Sequence, residues 1–440
     1  MNPKKSPVIS RRSFLSGSAA ASTGILLRSL ATGIPPALLM APSKINAQAA
    51  DVLPQTLIFS TSSRGDPVNV NCPGSYVNGV TNNPHLAVNE GGFGEQRVRA
   101  AAPWTGLPRA LRRRLAFFHH QTGAAAHPEQ DLTMTLRGAA RGAAGNGVEM
   151  LPSLAAQMNA QHMAYLQSEP FVLSRQKITY ENQPLQNAKP SELKALFSGS
   201  EDALNDLRPL RDQTLNRLYG HMRNNGTQTQ MRFVERFLRG RDQARALGND
   251  LAAQLDAIQP DAEDADGARD QIIAAVALAS LQVTPVIVIS IPFGQDNHQD
   301  ADLSREAEET ISGAGHIAHL WRELRAANLH NNVTFAMMNV FGRRLYRNGR
   351  GGRDHNRHHS VMVAFGRQIN GGAYGGLDGE GRCRHIRLNN GRPTNRGGIA
   401  PEESLASAGK TLLKAMGHRN QAINQRISAG RILNPFVADA

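Results

Sequence analysis

The chain has 440 residues, a formal net charge of +13 and two cysteines. Beyond its first 49 residues no run approaches the ~20 apolar residues of a membrane-spanning helix, so a soluble mature protein without a stable membrane anchor is expected. The positive excess suits anionic substrates or surfaces and does not demand nucleic acid.

Lys4 and Lys5 open the chain, and Ser10-Arg11-Arg12-Ser13-Phe14-Leu15 follows. The weakly apolar stretch 19–39 is broken by Gly24, Arg28, Gly33, Pro35 and Pro36, which argues against a spanning helix. Ala47-Gln48-Ala49 supplies the small residues that a signal peptidase reads. Basic, apolar, then small, with paired arginines in front, reads as a twin-arginine signal peptide over 1–49. An ordinary secretory signal is the alternative. Either way the expected location is periplasmic or secreted, with the twin-arginine export machinery as the partner of residues 1–49. That route carries folded proteins, so a metal could be loaded before export. Removing the leader leaves 440 − 49 = 391 residues, with (49 − 6) − 36 = +7 charges. This length suits one large domain, 50–440.

Short apolar runs at 56–61, 115–120, 285–291, 333–341 and 361–365 are β-branched or aromatic and read as buried strands. Leu303, Ala307, Ile311, Ile317, Leu320 and Leu324 line one face of a predicted helix over 303–328. Strand 285–291, this helix and strand 333–341 predict a βαβ unit with parallel pairing and ligands beyond the strands' carboxyl ends. Residues 190–262 are polar and helical in pattern, including Phe233, Phe237, Leu247, Leu251 and Leu255, and read as a helical insertion or cap. Residues 342–360 and 367–400 are rich in Gly, Arg and Asn and read as long functional loops. The fold class expected is α/β, with a mostly parallel sheet.

Chemistry-bearing residues gather after the predicted strands. Asp296 and His298 follow strand 285–291, and carboxylate plus imidazole is the ligand mix of Zn, Mn and Fe sites. The plain alternative is a polar loop in which Asp300 or Asp302 caps the next helix. Asp354 and His355 follow strand 333–341; His358 and His359 beside them read as a solvated surface pair. Asp66 in Arg64-Gly65-Asp66-Pro67 is a third carboxylate, or a turn residue before proline. After strand 115–120, Thr122 offers a hydroxyl, and His127 could bind metal or phosphate. Arg343, Arg344, Arg347, Arg350 and Arg353 could fork phosphate or sulfate. With only Phe341 and Tyr346 among them, nucleic-acid stacking is disfavoured. Cys72 and Cys383 could form a disulfide or stay as buried thiols, and neither stands in a Cys-x-Pro-x-Arg setting.

These pieces in order resemble the twin-arginine-exported family called domain of unknown function 1501, related to the alkaline phosphatase and sulfatase superfamily. They are the Arg-Arg leader, Arg64-Gly65-Asp66, His127, Gly294-x-Asp296-x-His298, Phe341-Gly342-Arg343, Gly351-Gly352-Arg353-Asp354-His355 and Gly371-Gly372-Ala373-Tyr374-Gly375. The resemblance implies an alkaline-phosphatase-like α/β/α sandwich. It also implies a divalent metal (Zn, Mn or Ca) held by Asp66, Asp296, His298, Asp354 and His355. Arg343 and Arg353 would bind an anionic small molecule or glycan, and Thr122 and His127 would be catalytic. Asn339-Val340 stand where the family usually carries Ser-Glu, and Thr122 matches the superfamily nucleophile by position only. The function expected is hydrolysis of a phosphate or sulfate ester. The alternative is a degenerate, non-catalytic member that binds an anionic glycan or a protein partner.

Overall fold

The computed structural model describes residues 55–438 apart from 79, 81, 143–146, 162–164, 166, 198–216, 218–219, 221–254, 259–263 and 295. The expected leader lies outside these residues, as does nearly all of the expected insertion at 190–262. Contacts group the chain into two units: Asn46–Leu193 with Ala257–Ala440, and Met1–Ile45 with Lys194–Asp256. The first unit holds every element considered below.

Seven strands form its sheet: β1 (Thr56–Ser60), β2 (Leu115–His120), β3 (Phe171–Val172), β4 (Val286–Ile289), β5 (Val333–Met337), β6 (Ser360–Phe365) and β7 (Gly372–Tyr374). Their order is β7-β2-β6-β5-β1-β4-β3. All five predicted strands are present, and the two- and three-residue edge strands β3 and β7 are additions. Pairing is parallel everywhere except at β6, which runs against both β5 and β2. The chain is therefore an α/β protein with a mostly parallel sheet.

The predicted βαβ unit has its helix but not its pairing. β1 lies between β4 and β5 and pairs in parallel with each. The reason is apolar content on both faces. Leu57, Ile58 and Phe59 are fully buried, and such a strand belongs in the middle of a covered sheet. Fully burying each large apolar side chain contributes about 1.5–3 kcal/mol.

Helices α1 (Leu151–Asn159), α2 (Ala268–Ser280), α3 (Ser304–Ala326) and α4 (Ser404–Ala415) cover the sheet. Leu57, Phe59, Phe118 and Val288 pack with residues of α1 and α4. On the other face, Trp321 of α3 meets Phe365 edge-on at 5.7 Å. The buried stripe of α3 includes Ala307, Ile317, Leu320 and Leu324 as predicted, but runs through Glu306 and Thr310 while Ile311 stays 55% exposed. Acidic side chains start α3: Asp302 Oδ1 accepts the Ser304 amide at 3.1 Å, and Asp300 Oδ2 the Glu306 amide at 2.8 Å. Unpaired amides of a helix's first turn favour such partners.

β1, β2, β4, β5 and β7 end at one rim, and the antiparallel β6 begins there. The loops carrying Asp66, His127, Asp296, Asp354 and His355 all leave from that rim.

Candidate metal centre

The rim loops bring His127, Asp296 and His355 together, with one potential ligand atom from each lying within 4.8 Å of the others. Both imidazoles are oriented from behind. His127 Nδ1 donates to the Ser63 carbonyl at 2.8 Å, and His355 Nδ1 donates to the Ala125 carbonyl at 2.6 Å. A carbonyl can only accept, so Nδ1 carries a proton in each ring, and in the neutral imidazole Nε2 keeps its lone pair. Metal-binding imidazoles are fixed in this way. His355 Nε2 is buried without a hydrogen-bond partner among the described residues. His127 Nε2 lies 3.6 Å from Asp296 Oδ2. An orphaned lone pair, a second one beside it and a carboxylate make a donor set that suits a divalent cation.

The other expected ligands form a flank. His298 Nδ1 donates to Asp354 Oδ1 at 3.1 Å, and its Nε2 lies 3.4 Å from Asp296 Oδ1. Asn348 Nδ2 also donates to Asp354 Oδ1, at 3.0 Å. That bond, outweighing burial together with the His298 contact, holds the Asp354 carboxyl below the usual carboxylate range. Burial opposes the Asp296 charge, yet Arg343, the His298 amide and the two imidazoles outweigh it and lower its pKa as well. His355 is lowered by burial first, then by the positive charges around it. Phe341 forms the floor, stacked on His355 with centroids 4.1 Å apart. Gly65 has φ +64°, and a Cβ there would fall inside the Phe341 ring. This is the physical reason for glycine in Arg64-Gly65-Asp66.

Asp66 sits outside the three-residue group. Burial raises its carboxyl to about 7, against the Phe293 amide and the Arg343 charge. Its Oδ1 has no hydrogen-bond partner among the described residues.

Three expected roles do not fit the geometry. Thr122 is fully buried, and its Oγ1 accepts the Ala124 amide at 3.3 Å, so it presents no nucleophile. Arg343 and Arg353 are fully buried and cannot present a guanidinium to a ligand. Arg343 donates to the Gly65 and Arg64 carbonyls at 2.6 and 3.0 Å and lies 3.3 Å from Asp296 Oδ1. It locks three rim loops together. Arg353 grips Glu306 with two bonds, Nε to Oε2 at 2.6 Å and Nη2 to Oε1 at 3.1 Å. Asn71, Asn83 and Asn297 donate to the same carboxylate. This buried pair anchors the segment that carries Asp354 and His355. The cysteines are both free, buried thiols.

Sequence reasoning missed Glu306, whose signal was an acid inside the apolar stripe of α3. It also missed Asn69, which accepts the Arg343 amide at 2.7 Å and donates to the Arg343 carbonyl at 2.8 Å. His359 is no surface residue. It is fully buried and bonded to Asn69 at 3.0 Å and His119 at 2.9 Å. Beside the centre opens a pocket of about 360 Å³ lined by Ser63, His127, Pro128, Gln130, Asp131 and Lys177.

The profile of a family described as "Protein of unknown function (DUF1501)" matches residues 150–385, more than half of the chain. The chain belongs to the DUF1501 family. The matched stretch carries Asp296, His298, Asp354 and His355, while His127 and Asp66 precede it. No curated protein matches this DUF1501 member.

Proposed function

We propose that the protein is an exported, metal-dependent hydrolase of the alkaline phosphatase and sulfatase type, acting on a phosphate or sulfate ester. One observation carries this reading: His127 and His355, each pinned through Nδ1 to a backbone carbonyl, leave their Nε2 lone pairs beside Asp296. His127, Asp296 and His355 would hold the cation, with His298 and Asp354 flanking it. A divalent ion bound there supplies Lewis acidity toward an ester oxygen and lowers the pKa of water. The protein's own part is positional. Arg343 fixes Asp296 and the loop at Gly65, and Glu306 fixes Arg353 and hence the Asp354–His355 turn. His298 passes the Asp354 contact on to Asp296. The pocket beside His127 gives the ester room, with Ser63 the hydroxyl residue in its lining.

The test is metal analysis of the purified mature protein, followed by aryl phosphate and aryl sulfate turnover with and without chelator. Bound Zn, Mn or Ca, chelator-sensitive turnover and loss of both in Asp296→Asn are expected. A metal-free protein whose behaviour ignores chelator would sink the reading.

The burial of Thr122 favours a second reading, a non-catalytic member that uses the same cation to bind an anionic glycan or a protein partner. Metal binding without turnover of either ester would select it.

A further inference from the structure

The rim segments 338–359 and 375–400 carry eleven Arg, three acidic residues and no Lys, giving 11 − 3 = +8. Residues 50–440 carry 43 − 36 = +7 in all, so everything outside the two segments sums to 7 − 8 = −1. Arg343 and Arg353 are paired with Asp296 and Glu306, so the excess these segments offer a ligand is 8 − 2 = +6.

Within these segments, the loops carrying Arg344, Arg357 and Arg382 meet around His358. Backbone bonds lace their loops together. The Arg344 amide donates to the Asp354 carbonyl at 2.9 Å, and the Cys383 amide to the His358 carbonyl at 3.0 Å. Asn356 Nδ2 donates to the Gly381 carbonyl at 3.2 Å. Arg357 Nε donates to His358 Nε2 at 3.3 Å, a neutral acceptor where a guanidinium ordinarily finds a carboxylate. His358 is held below its ordinary pKa by burial first, then by the Arg357, Arg382 and Arg344 charges. Glu380 pairs with Arg382 at 2.7 Å, and Asp354 is turned to His298. The three loops therefore meet at His358, and of their exposed arginines Arg382 has Glu380 while Arg344 and Arg357 make no ion pair among the described residues. The bond from the Arg344 amide to the Asp354 carbonyl makes this cluster continuous with the flank of the metal centre.

We propose that Arg344, Arg357 and Arg382 form a second anion subsite, which takes a sulfate or phosphate group of a linear anionic polysaccharide whose neighbouring ester lies at the His127–Asp296–His355 centre. The neighbouring-ester part rests on the hydrolase reading above; the subsite itself does not. Planar guanidinium forks match tetrahedral oxyanions, and several such groups spaced along a chain add affinity that one ester lacks. Nucleic acid fits less well. Single strands are held by exposed aromatic rings, and the large apolar side chains exposed among the described residues are Leu132, Val148 and Ile311. Tyr346 is tied through its hydroxyl to the Gly379 carbonyl, and Phe341 is buried.

The experiment is calorimetric titration of the mature protein in chelator with a heparin-derived oligosaccharide, a monosulfated monosaccharide, inorganic polyphosphate and a single-stranded DNA oligomer of matched charge. The oligosaccharide should bind at least about tenfold tighter than the monosaccharide and tighter than DNA or polyphosphate. Combined Arg344→Ala, Arg357→Ala and Arg382→Ala should lose at least about tenfold in oligosaccharide affinity with an unchanged circular dichroism spectrum. Arg357→Glu alone, at an exposed position, should weaken binding in the same direction and covers the case in which the triple variant misfolds. Unchanged affinity in a folded variant overturns the subsite, and tighter binding of DNA or polyphosphate overturns the polysaccharide. Because binding is read without metal, failed ester hydrolysis leaves this subsite standing, and a failed subsite leaves the hydrolase reading standing.

Discussion

Two groups of histidines occupy the same rim and differ in every respect that matters chemically. His119 and His359 are fully buried and stacked. His119 Nε2 donates to the Pro73 carbonyl at 2.8 Å, His359 Nε2 to His119 Nδ1 at 2.9 Å, and Asn69 Nδ2 to His359 Nδ1 at 3.0 Å. Each ring nitrogen of the pair is used. His127, His298 and His355 are half-buried, mix with Asp296 and Asp354, and leave His355 Nε2 without a partner among the described residues. The contrast teaches that a histidine's role follows from which of its nitrogens the fold has already spent. A closed network adds rigidity; an open one keeps a lone pair for something else.

The contrast can be broken most forcefully at the closed anchor. Arg353→Met leaves the Glu306 carboxylate buried without its cation and should cost about 3–5 kcal/mol in urea unfolding; a neutral result would mean that the anchor is not structural. Acidification comes next. Burial lowers His119 from 6.5 to about 4 and, with the His119 charge adding, His120 to about 3. Below pH 6.5 the unfolded state binds protons that the folded state refuses. Stability is therefore full above 6.5 and is lost as pH falls toward 4, by at most about 1.4 kcal/mol per pH unit for each histidine. A flat pH–stability profile over that window would contradict the burial of these two imidazoles as the cause of their low pKa values.

At the open cluster the expected readout changes from stability to affinity. His355→Ala should weaken divalent-metal binding by about 100-fold or more, while apo stability moves by only about 0.5 kcal/mol. A variant that loses stability but not metal would reverse the two roles. A smaller loss of stability than at Arg353 is expected where the clusters meet. Asn69→Ala removes the acceptor of the buried Arg343 amide and should cost about 1–3 kcal/mol in chemical denaturation.

The strands were legible because runs such as Val286–Ile289 are apolar throughout and have few other places to go. Their pairing was not, since nothing local to β4 or β5 announces that β1 inserts between them. His127, Asp296 and His355 were each visible as polar residues after a strand, and so were Asp354 and His298. Which of them share a point depends on the Ser63 and Ala125 carbonyls, which carry no side-chain signature. Arginine roles were the least legible. Arg343 and Arg344 are adjacent in the chain, yet one is sealed beneath the rim and the other exposed. Only packing separates them.

The antiparallel run of β6 has a consequence for how such a rim can change. β5 and β6 are adjacent, so the 22 residues between them, 338–359, form a hairpin-like connection instead of a crossover. Strand neighbours stay about 4.8 Å apart however long their connection is, and doubling a loop costs only about 0.6 kcal/mol in closure entropy. Insertions at the exposed Gly349 and Arg350, past Asn348, can therefore remodel the surface a ligand meets while the strands beneath keep their register. The scaffold is tolerant at the place where diversity would be most useful.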